Sequence, residues 1–482
     1  MKKYLGLSIS IVLALSGCGG SDSSSKIETA TKALKSETIT TKSVQTKTAN
    51  ESKEIKIPTT STVIKSAKVY QPKDISRKSN PDYNCNTSGV ITSSTLTKWL
   101  DNWSENKPEG VDGRLIVVQA GKTRFDHNRS YLPHNDKDVL VYAIPGAGSC
   151  DPSYKRFDGT TNTPGAMIAG NLFDKNINFF QIDPKKDFVV ISIAEGSTGV
   201  REVIRTWWSM IYWGWDMDRI AFLNGSVEYN YQNSKDYLVA TSSPNPKMVA
   251  EYHMSDLKTD RTSLHLYMDE VKDIVANSKK GFFLADARGT KEYSGAKKSK
   301  TASKKCGPNH DKQCYSAFKG HIKGAVDFPY TDMLVMDDGK CDLNGDGKVD
   351  KHDASYKFKS YDELKDLYAC KGFNSCDTVI GYCRTGRKST ILALTSTVVL
   401  GYPFRMYDGS WIQWGSMANV KDTNGDYILP EDSKVRLDVE KYSEIVGYNN
   451  SLDVEPKGIY EIDLNSTDGQ NIKREDQAYL AK

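Results

Sequence analysis

The sequence predicts an α/β protein with two domains, each a parallel sheet flanked by helices, after a disordered N-terminal tether. Short apolar segments typical of buried strands alternate with helical segments, the same order of segments occurs twice, and the start of the chain is rich in Ser, Thr and Lys. About 400 residues follow the tether, which is more than one hydrophobic core usually takes. The predicted division is a signal segment at 1–18, a linker at 19–80, a first domain at 81–265, a second domain at 266–420 and a C-terminal extension at 421–482.

The first residues predict an exported protein. Lys2 and Lys3 precede an apolar run at 5–14, which has the length of a signal core and is too short to span a bilayer. The run leads to Leu-Ser-Gly-Cys, which ends at Cys18 and resembles the lipobox of bacterial lipoproteins. The resemblance implies a lipid on Cys18 and a position in the cell envelope, at the outer membrane facing the periplasm or the cell surface. An ordinary cleaved signal peptide with an incidental cysteine is the alternative.

The composition limits the possible partners. The segment from 19 to about 73 has almost no aromatic side chains, so it cannot bury enough apolar surface to offset the entropy of ordering. We expect it to be a flexible tether. The net charge is +4 over 482 residues, which supports no binding of nucleic acid. No later segment has the long apolar stretch of a membrane span, so the expected membrane contact is the lipid anchor.

The second domain is predicted to place a short basic loop between a strand and a helix. In order, its main elements are a strand at 281–285, a helix that begins near Ser360, a strand at 378–382, a loop at 383–388, a helix at 389–400 and a strand at 404–407. Parallel sheets carry their chemistry in the loop that follows a strand, at the start of the next helix. The loop 383–388 is therefore the candidate site.

The first domain repeats this order without the cysteine. Its corresponding segments are a strand at 115–118, an apolar segment at 142–147, a strand at 188–193, a loop at 195–199, a helix at 200–212 and a strand at 220–223. The loop that corresponds to 383–388 has the sequence Glu-Gly-Ser-Thr-Gly. We therefore expect the first domain to be chemically inactive.

Four motifs of the second domain resemble the rhodanese family of sulfurtransferases. They are Asp286-Ala287-Arg288, the segment from Gly320 to Ala325, the segment from Tyr382 to Ser389, and Asp408-Gly409-Ser410-Trp411. The tandem arrangement is similar to that of thiosulfate and mercaptopyruvate sulfurtransferases, which have an inert first domain and an active second one. Glu292 departs from the two-domain thiosulfate enzymes, which have a substrate-binding arginine at that place. Two insertions, at about 295–318 and 332–358, also leave the identity of the substrate undetermined.

The resemblance implies a role for each residue of the loop. Cys383 would be the nucleophile that carries sulfur. The expected substrate-binding residues are Arg384, Thr385, Gly386, Arg387 and Lys388. Asp286 and Arg288 are expected to be structural, with the aspartate at the end of a strand and the arginine bracing a loop. No organic cofactor is implied.

The chemistry of such a loop starts from a thiolate. A helix N-terminus and nearby cations lower the pKa of a cysteine, and the loop 383–388 offers both. In the expected reaction, Cys383 takes the outer sulfur of thiosulfate and passes it to a thiol or cyanide. The alternative is that Cys383 is a small buried apolar residue. A cysteine phosphatase on this fold would need an arginine six positions after the cysteine, where Ser389 stands.

Two further functions stay open at this point. The protein could be a surface carrier of sulfane sulfur or polysulfide that turns over little alone. It could instead be a structural calcium-binding protein of the cell surface with an inert Cys383. The carrier predicts a persulfide with slow transfer to small acceptors, whereas the structural protein predicts no thiol reactivity.

A calcium loop is predicted inside the second insertion. Oxygen side chains stand at positions 1, 3, 5, 9 and 12 of an EF-hand pattern, with a glycine at position 6. The expected ligands are Asp342, Asn344, Asp346, Lys348 through its backbone, Asp350 and Asp353. Calcium would hold the shape of the insertion, and a solvated acidic turn is the alternative. The similar start at 422–426 is expected to be a turn.

The nine cysteines and the clustered tryptophans give structural expectations. The expected disulfides are Cys306–Cys314, Cys370–Cys376 and Cys85–Cys150, with Cys341 left over. A zinc site at 306–314 is less favoured because only one histidine is near. The aromatic residues of 207–215 are expected in a core or a domain interface, and Trp411 and Trp414 near the loop 383–388.

Overall fold

The structure is a computed structural model of the chain. It describes residues 67–123, 129–144, 153–157, 162–195, 199–296, 320–340, 342–343, 347–350, 353–415, 426, 429 and 469–482. The predicted signal segment with Cys18, most of the linker, the disulfide Cys306–Cys314 and residues 422–425 of the expected turn lie outside the described residues, and so does Cys150. No helix in the described ranges has the length and apolar character needed to cross a membrane.

The first half of the described chain forms a five-stranded parallel sheet. The strands of this half, of which five form the sheet, are in chain order β1 (Lys68–Val69), β2 (Gly89–Ile91), β3 (Leu115–Ala120), β4 (Val139–Ile144), β5 (Ser153–Phe157), β6 (Asn162–Met167), β7 (Phe188–Ile193) and β8 (Ile220–Leu223). Its helices are α1 (Ser93–Asp101), α2 (Trp103–Asn106), α3 (Gly170–Phe179), α4 (Gly199–Tyr212) and α5 (Val227–Tyr231). The sheet order is β2-β8-β7-β3-β4, while β5 and β6 form a separate antiparallel hairpin.

The central strands of this sheet are buried throughout. Every residue of β3 and of β7 is buried, which explains their nearly continuous apolar sequences. Side chains of alternating direction from these strands enter two separate hydrophobic clusters, so helices and loops cover both faces of the sheet.

The second half forms another five-stranded parallel sheet. The strands of this half are β9 (Thr259–Asp260), β10 (His265–Leu266), β11 (Phe282–Asp286), β12 (Val326–Asp327), β13 (Thr378–Tyr382) and β14 (Phe404–Tyr407). The remaining helices are α6 (Met268–Ala276), α7 (Thr290–Tyr293), α8 (Tyr361–Cys370), α9 (Ser389–Leu394), α10 (Ser410–Trp414) and α11 (Asn471–Leu480). The sheet order is β10-β14-β13-β11-β12, and β9 pairs with β1 outside it.

The two main sheets have the same connectivity. In each of them the first and last strands are neighbours, the fourth strand is central, and the second and third strands complete the sheet. The predicted α/β class with parallel sheets and flanking helices is confirmed. The strand before the loop 383–388 was predicted at its observed position, 378–382.

The helix after the loop changes its hydrogen bonding halfway. The α-helix α9 ends at Leu394 and continues as a π-helical turn, Thr395–Val399. Hydroxyl groups account for part of this change, because Thr395 Oγ1 donates to the carbonyl oxygen of Ile391 and lies 3.1 Å from the Tyr368 hydroxyl. The predicted helix to Leu400 is therefore correct in extent, with a π-helical second half.

One hydrophobic cluster runs through both halves. It contains side chains from β3, β7 and α4 together with side chains from β11, β13 and α9. Trp207 and Trp208 of α4 are fully buried in it, and Trp208 Nε1 donates a hydrogen bond of 2.9 Å to His265 Nε2. The aromatic residues of 207–215 thus lie in a core and at the contact between the halves, as predicted. Truncating one such tryptophan to alanine typically costs about 3–5 kcal/mol.

One predicted disulfide is not formed. Cys370 and Cys376 are both free and exposed. Cys370 is the last residue of α8, and Cys376 lies in the turn that leads to β13. Neither thiol takes part in a disulfide, so the prediction of a local bridge was wrong. Cys85, the described member of the Cys85–Cys150 pair, is likewise a free, exposed thiol.

Candidate active site

Cys383 lies at the carboxyl end of the central strand of the second sheet. The strand β13 pairs with β11 on one side and with β14 on the other, so that Asp286 and Tyr382 are register partners at this edge. Cys383 follows Tyr382 directly, and the loop 383–388 leads to α9. The central position places the cysteine between the ends of two neighbouring strands, as expected for a site in a parallel sheet.

The backbone of the cysteine is held by α10. The Cys383 N–H donates to Ser410 Oγ at 3.3 Å, and the Trp411 N–H donates to the Cys383 carbonyl oxygen at 3.0 Å. The Ile412 N–H donates to the carbonyl oxygen of Arg384, also at 3.0 Å. Cys383 is a free thiol and only 1% exposed. The backbone of the first two loop residues is therefore held by hydrogen bonds to α10. Trp411 lies beside the loop as predicted.

Gly386 makes the bend that returns the loop to the helix. Its φ angle is 76°, in the left-handed region that favours glycine. A Cβ at this position would come within 2.8 Å of Arg205 Nη1 and 3.0 Å of Asp408 Oδ1. The Gly386 carbonyl oxygen accepts hydrogen bonds from Ser389 Oγ at 3.0 Å and from Arg205 at 3.4 Å. The loop therefore has no room for a side chain here.

Lys388 brings a positive charge to the cysteine. Its Nζ lies 3.9 Å from Glu292 Oε2 and 5.2 Å from the centre of the Tyr330 ring. Burial lowers the pKa of Lys388, while the charges of Glu292 and of a Cys383 thiolate act in the opposite direction. The lysine is thus close enough to Cys383 for the two charges to interact. Such a cation stabilises a thiolate.

Two further cations near the loop come from different halves of the molecule. The charges of Arg384, in the loop, and of Arg201, in α4, lower the pKa of Lys388 further. Both side chains are half-buried. Arg201 stands one helical turn before Arg205, on the same face of α4. Because Arg205 touches Gly386, this face of α4 is directed at the loop 383–388.

Arg205 and Asp408 form a buried ion pair next to the loop. Arg205 Nη2 lies 2.6 Å from Asp408 Oδ1, and the other oxygen of Asp408 accepts the N–H of Met167 at 2.6 Å. Burial alone would raise the pKa of Asp408, but Arg205 and His265 together with these hydrogen bonds hold it below its ordinary value. Asp408, which the sequence offered only as part of a motif, thus joins the two halves.

Asp286 and Arg288 form a second buried pair on the other side of the cysteine. Arg288 Nη2 lies 2.6 Å from Asp286 Oδ2 and 2.6 Å from the carbonyl oxygen of Gly320. The Tyr382 hydroxyl donates to Asp286 at 2.8 Å, and the guanidinium lies 4.3 Å from the Trp411 ring. The pair connects β11, β13 and the segment at 320. The structural role expected for Asp286 and Arg288 stays a prediction.

The remaining loop residues have distinct surroundings. Thr385 contacts Gly165 of β6, and Arg387 is half-buried. Ser389 is buried, and its hydroxyl is engaged with Gly386. The sixth position after Cys383 therefore holds a short neutral side chain, without the guanidinium that a cysteine phosphatase uses to clamp phosphate.

The predicted calcium loop is described in part. Asp342 accepts the N–H of Gly347 at 2.7 Å, and Gly347 has a φ of 83°, as the glycine of such a loop requires. Asp353 is fully buried, and its two oxygens accept the N–H groups of Leu343 and Asp350. Asn344 and Asp346 lie outside the described residues. Among those that are described, no group of three or more acidic, histidine or cysteine side chains could hold a metal ion. Calcium stays a prediction.

Sequence reasoning missed Arg201 and Arg205. They lie in the half without the cysteine. Nothing in the sequence around the loop 383–388 indicated that a helix of that half would contact the loop. The only signal was their spacing of four residues on a largely apolar helix, which places both charges on one face. A charged face on a helix that must be buried requires polar partners.

The comparisons with known proteins show what the second half is similar to. Residues 268–417 match the model of the rhodanese-like domain. A putative thiosulfate sulfurtransferase of Haloferax volcanii is 28% identical over 319 residues, which cover 60% of this chain and 98% of that protein. The sulfur carrier protein TtuD of Thermus thermophilus is 29% identical over 167 residues, 34% of this chain and 49% of that protein. This chain therefore spans about half of the Thermus protein.

A similar solved structure is the Tum1 protein from Saccharomyces cerevisiae. Its TM-score is 0.45 at 17% identity, with 68% of this chain and 95% of that chain covered. The segment that matches the rhodanese-like domain, residues 268–417, includes Cys383. Its relatives support a rhodanese-type sulfurtransferase or sulfur carrier.

Proposed function

We propose that the protein is a sulfurtransferase that moves sulfane sulfur from thiosulfate to a thiophilic acceptor through a persulfide on Cys383. One observation carries the proposal. A free cysteine begins the loop at the carboxyl end of the central strand, with the charge of Lys388 beside it, inside the segment that matches the rhodanese-like domain. The first half would be an inactive rhodanese-like domain, because its corresponding loop has no thiol.

The first step forms the persulfide. The Cys383 thiolate attacks the outer sulfur of thiosulfate, a new S–S bond forms, and the old S–S bond breaks. Sulfite leaves with the electron pair of that bond, so no external oxidant or reductant is needed. Lys388 and Arg384 stabilise the negative charge on the thiolate and on the departing sulfite.

The second step regenerates the thiolate. Cyanide or a thiol attacks the outer sulfur of the persulfide, and the electron pair of the breaking S–S bond returns to Cys383. The product is thiocyanate or a persulfide of the acceptor. This is a covalent, two-step reaction in which donor and acceptor use the same site in turn.

The charges near the loop favour a doubly charged donor. The charges of Arg384 and Arg201 both act on Lys388, whereas Glu292 is the acidic partner of Lys388. Lys388 and Arg384 thus place positive charge beside Cys383. This charge suits thiosulfate better than a singly charged donor such as mercaptopyruvate.

Intact mass spectrometry tests the proposal. The full chain is incubated with thiosulfate, the mass is compared with that of Cys383→Ser, and sulfite release is followed with cyanide as acceptor. We expect one added sulfur atom and turnover that is lost by roughly a thousandfold or more in Cys383→Ser. Cys370→Ser is the matched control, since Cys370 is free but exposed on α8, and it should keep both signals. No adduct from thiosulfate, mercaptopyruvate or polysulfide would refute the proposal.

A sulfur carrier is the second candidate. Similarity to a protein named as a sulfur carrier supports it, and so does the burial of Cys383, which limits access of acceptors. The same experiment separates the two functions. A stable Cys383 adduct with little sulfite release over many minutes would favour the carrier, whereas repeated turnover with cyanide would favour the enzyme.

A further inference from the structure

The hairpin β5–β6 of the first half lies against the loop 383–388. Gly165 packs so closely on Thr385 that a Cβ at this position would come within 2.9 Å of the Thr385 Cβ. Two residues later, the Met167 N–H donates to Asp408 at 2.6 Å. The Gly165 carbonyl oxygen accepts a hydrogen bond of 3.3 Å from Arg205. The strand β6 therefore contacts the loop and the ion pair that supports the loop.

Arg156 ties this hairpin to the C-terminal helix. The side chain is fully buried, and its Nη2 lies 2.7 Å from both Glu475 Oε2 and Asp476 Oδ1 of α11. Its Nη1 donates to the carbonyl oxygen of Met167 at 3.1 Å. One guanidinium thus joins β5, the end of β6 and α11. The same Met167 bonds to Asp408, so only two hydrogen bonds separate Arg156 from the support of the loop.

The helix α11 is anchored independently of Arg156. The Tyr479 hydroxyl donates to Asp174 at 2.7 Å and accepts the Ser255 N–H at 3.1 Å. The Tyr479 ring packs directly on Gly170, where a Cβ would clash with it. These contacts dock α11 on α3 and on the segment near 255. Docking of α11 therefore does not require the two carboxylates that face Arg156.

The charges around Arg156 are costly unless they are paired. Two carboxylates and one guanidinium are removed from water together, and the Tyr212 hydroxyl of α4 donates to Asp476 at 2.6 Å. Buried charges add little net stability over apolar side chains but fix geometry, because each charge tolerates few arrangements of its partners. The geometry fixed here is the position of the hairpin between α11 and the loop 383–388.

We propose that α11 is a clamp that holds the hairpin β5–β6 over the Cys383 loop through Arg156, so that Arg156, Glu475 and Asp476 are positioning residues for the reaction at Cys383. The inference rests on the proposed sulfur transfer for its kinetic consequence, while its structural consequence concerns only the accessibility of Cys383. Cys383 is 1% exposed in the clamped state. Release of the hairpin uncovers the loop at Thr385 and removes the hydrogen bond from Met167 to Asp408.

The experiment compares Arg156→Met with Tyr479→Phe in the full chain. Cys383 is alkylated with iodoacetamide, and its modification is followed by peptide mass beside that of the exposed Cys370 as an internal reference. The same samples are assayed with thiosulfate and cyanide for kcat and KM, and their folding is checked by circular dichroism. Arg156→Lys, which keeps the charge, tests for partial rescue. Tyr479→Phe removes two hydrogen bonds of α11 and leaves Arg156 with its partners.

We expect Arg156→Met to raise the alkylation rate of Cys383 relative to Cys370 by about tenfold or more, and to raise KM for thiosulfate more than it lowers kcat. Arg156→Lys should lie between Arg156→Met and the wild type. Tyr479→Phe should lower thermal stability but leave both readouts within about twofold. Equal effects of Arg156→Met and Tyr479→Phe would show that Arg156 is merely structural and would overturn the clamp.

Two contingencies keep the test decisive. If Arg156→Met does not fold, Glu475→Gln removes one of the two carboxylate bonds and keeps Arg156 paired with Asp476. That variant should raise the alkylation rate by about threefold, and an unchanged rate would overturn the clamp. If the wild type forms no persulfide, the proposed function fails, while the alkylation rates still decide whether the clamp exists.

Discussion

The loops after β7 and β13 stand at corresponding places in two sheets with the same strand order, but they differ in what they carry and in the helix that follows. The second loop carries Cys383 and leads to a short α-helix, α9, with a π-helical end. The first loop carries no thiol and leads to α4, a helix of 14 residues that is buried in the contact between the halves. The two charged groups on one face of α4, Arg201 and Arg205, are directed at the loop of the other sheet. The half without the nucleophile therefore supports the half that has it.

Removal of Arg205 should break this relation most strongly. In Arg205→Met, Asp408 keeps its burial but loses its guanidinium, and Gly386 loses one of its two donors. An unpaired buried carboxylate of this kind costs about 3–5 kcal/mol of unfolding free energy. Urea denaturation measures this loss, and turnover with thiosulfate should fall in the fraction that stays folded.

Lys175→Met, at an exposed position of the same half, is the matched control and should change neither quantity. A variant Arg205→Met with wild-type stability and turnover would mean that the contact between α4 and the loop has no energetic role. The double variant Arg205→Met, Asp408→Asn should recover part of the lost stability, since it removes the unpaired charge.

The acidity of Asp476 gives the next largest effect, and it tests the packing of α11 on the first half. Burial raises the pKa of Asp476 to about 6 although Arg156 acts in the opposite direction. Glu475, Tyr212 and Tyr267 also face this carboxyl group. Between the ordinary pKa of an aspartate and 6, the folded chain holds a proton that the unfolded chain has released. The contribution of Asp476 to stability is therefore present at low pH and is lost as the pH rises to about 6.

Comparison with Asp476→Asn isolates this contribution. The unfolding free energy of the wild type should fall by about 2 kcal/mol more than that of Asp476→Asn when the pH rises from about 4.5 to 7, and no further difference should develop above pH 7. Urea titrations at four pH values from about 4.5 to 8 provide the measurement. Parallel stability curves for the two proteins would show that Asp476 ionises in the native state as it does in the unfolded chain.

The sequence predicted what depends on neighbouring residues and missed what depends on distant ones. The strand 378–382, the loop with Cys383 and the following helix were predicted because periodicity, glycine and proline signals are local. Arg156 and Glu475 are 319 positions apart, and Arg205 and Asp408 are 203 apart. Such pairs follow only from the packing of the two sheets and α11 against one another. The failed disulfide, Cys370–Cys376, shows the same limit, because spacing alone does not give the directions of two side chains.

Substitution of single cations compares what each half contributes to the binding of thiosulfate. Lys388→Met removes the charge that interacts with Cys383 within its own half, and Arg201→Met removes one that comes from the other half. We expect kcat/KM for thiosulfate to fall by about tenfold in Lys388→Met and by about threefold in Arg201→Met. We expect Arg201 to act mainly through KM, because a cation on α4 attracts the dianion toward the loop.

Salt distinguishes the two cations. Arg201 is half-buried and comes from the other half, so its contribution should weaken as ionic strength rises from about 0.05 to 0.5 M. The effect of Lys388→Met should persist over the same range, since the lysine lies beside buried Cys383 and is itself largely shielded from solvent. Steady-state assays of both variants at two salt concentrations decide this. The fall in kcat/KM could instead be equal for the two variants and independent of salt. That result would mean that Arg201 stabilises the structure of the loop, as Arg205 does, and does not attract the substrate.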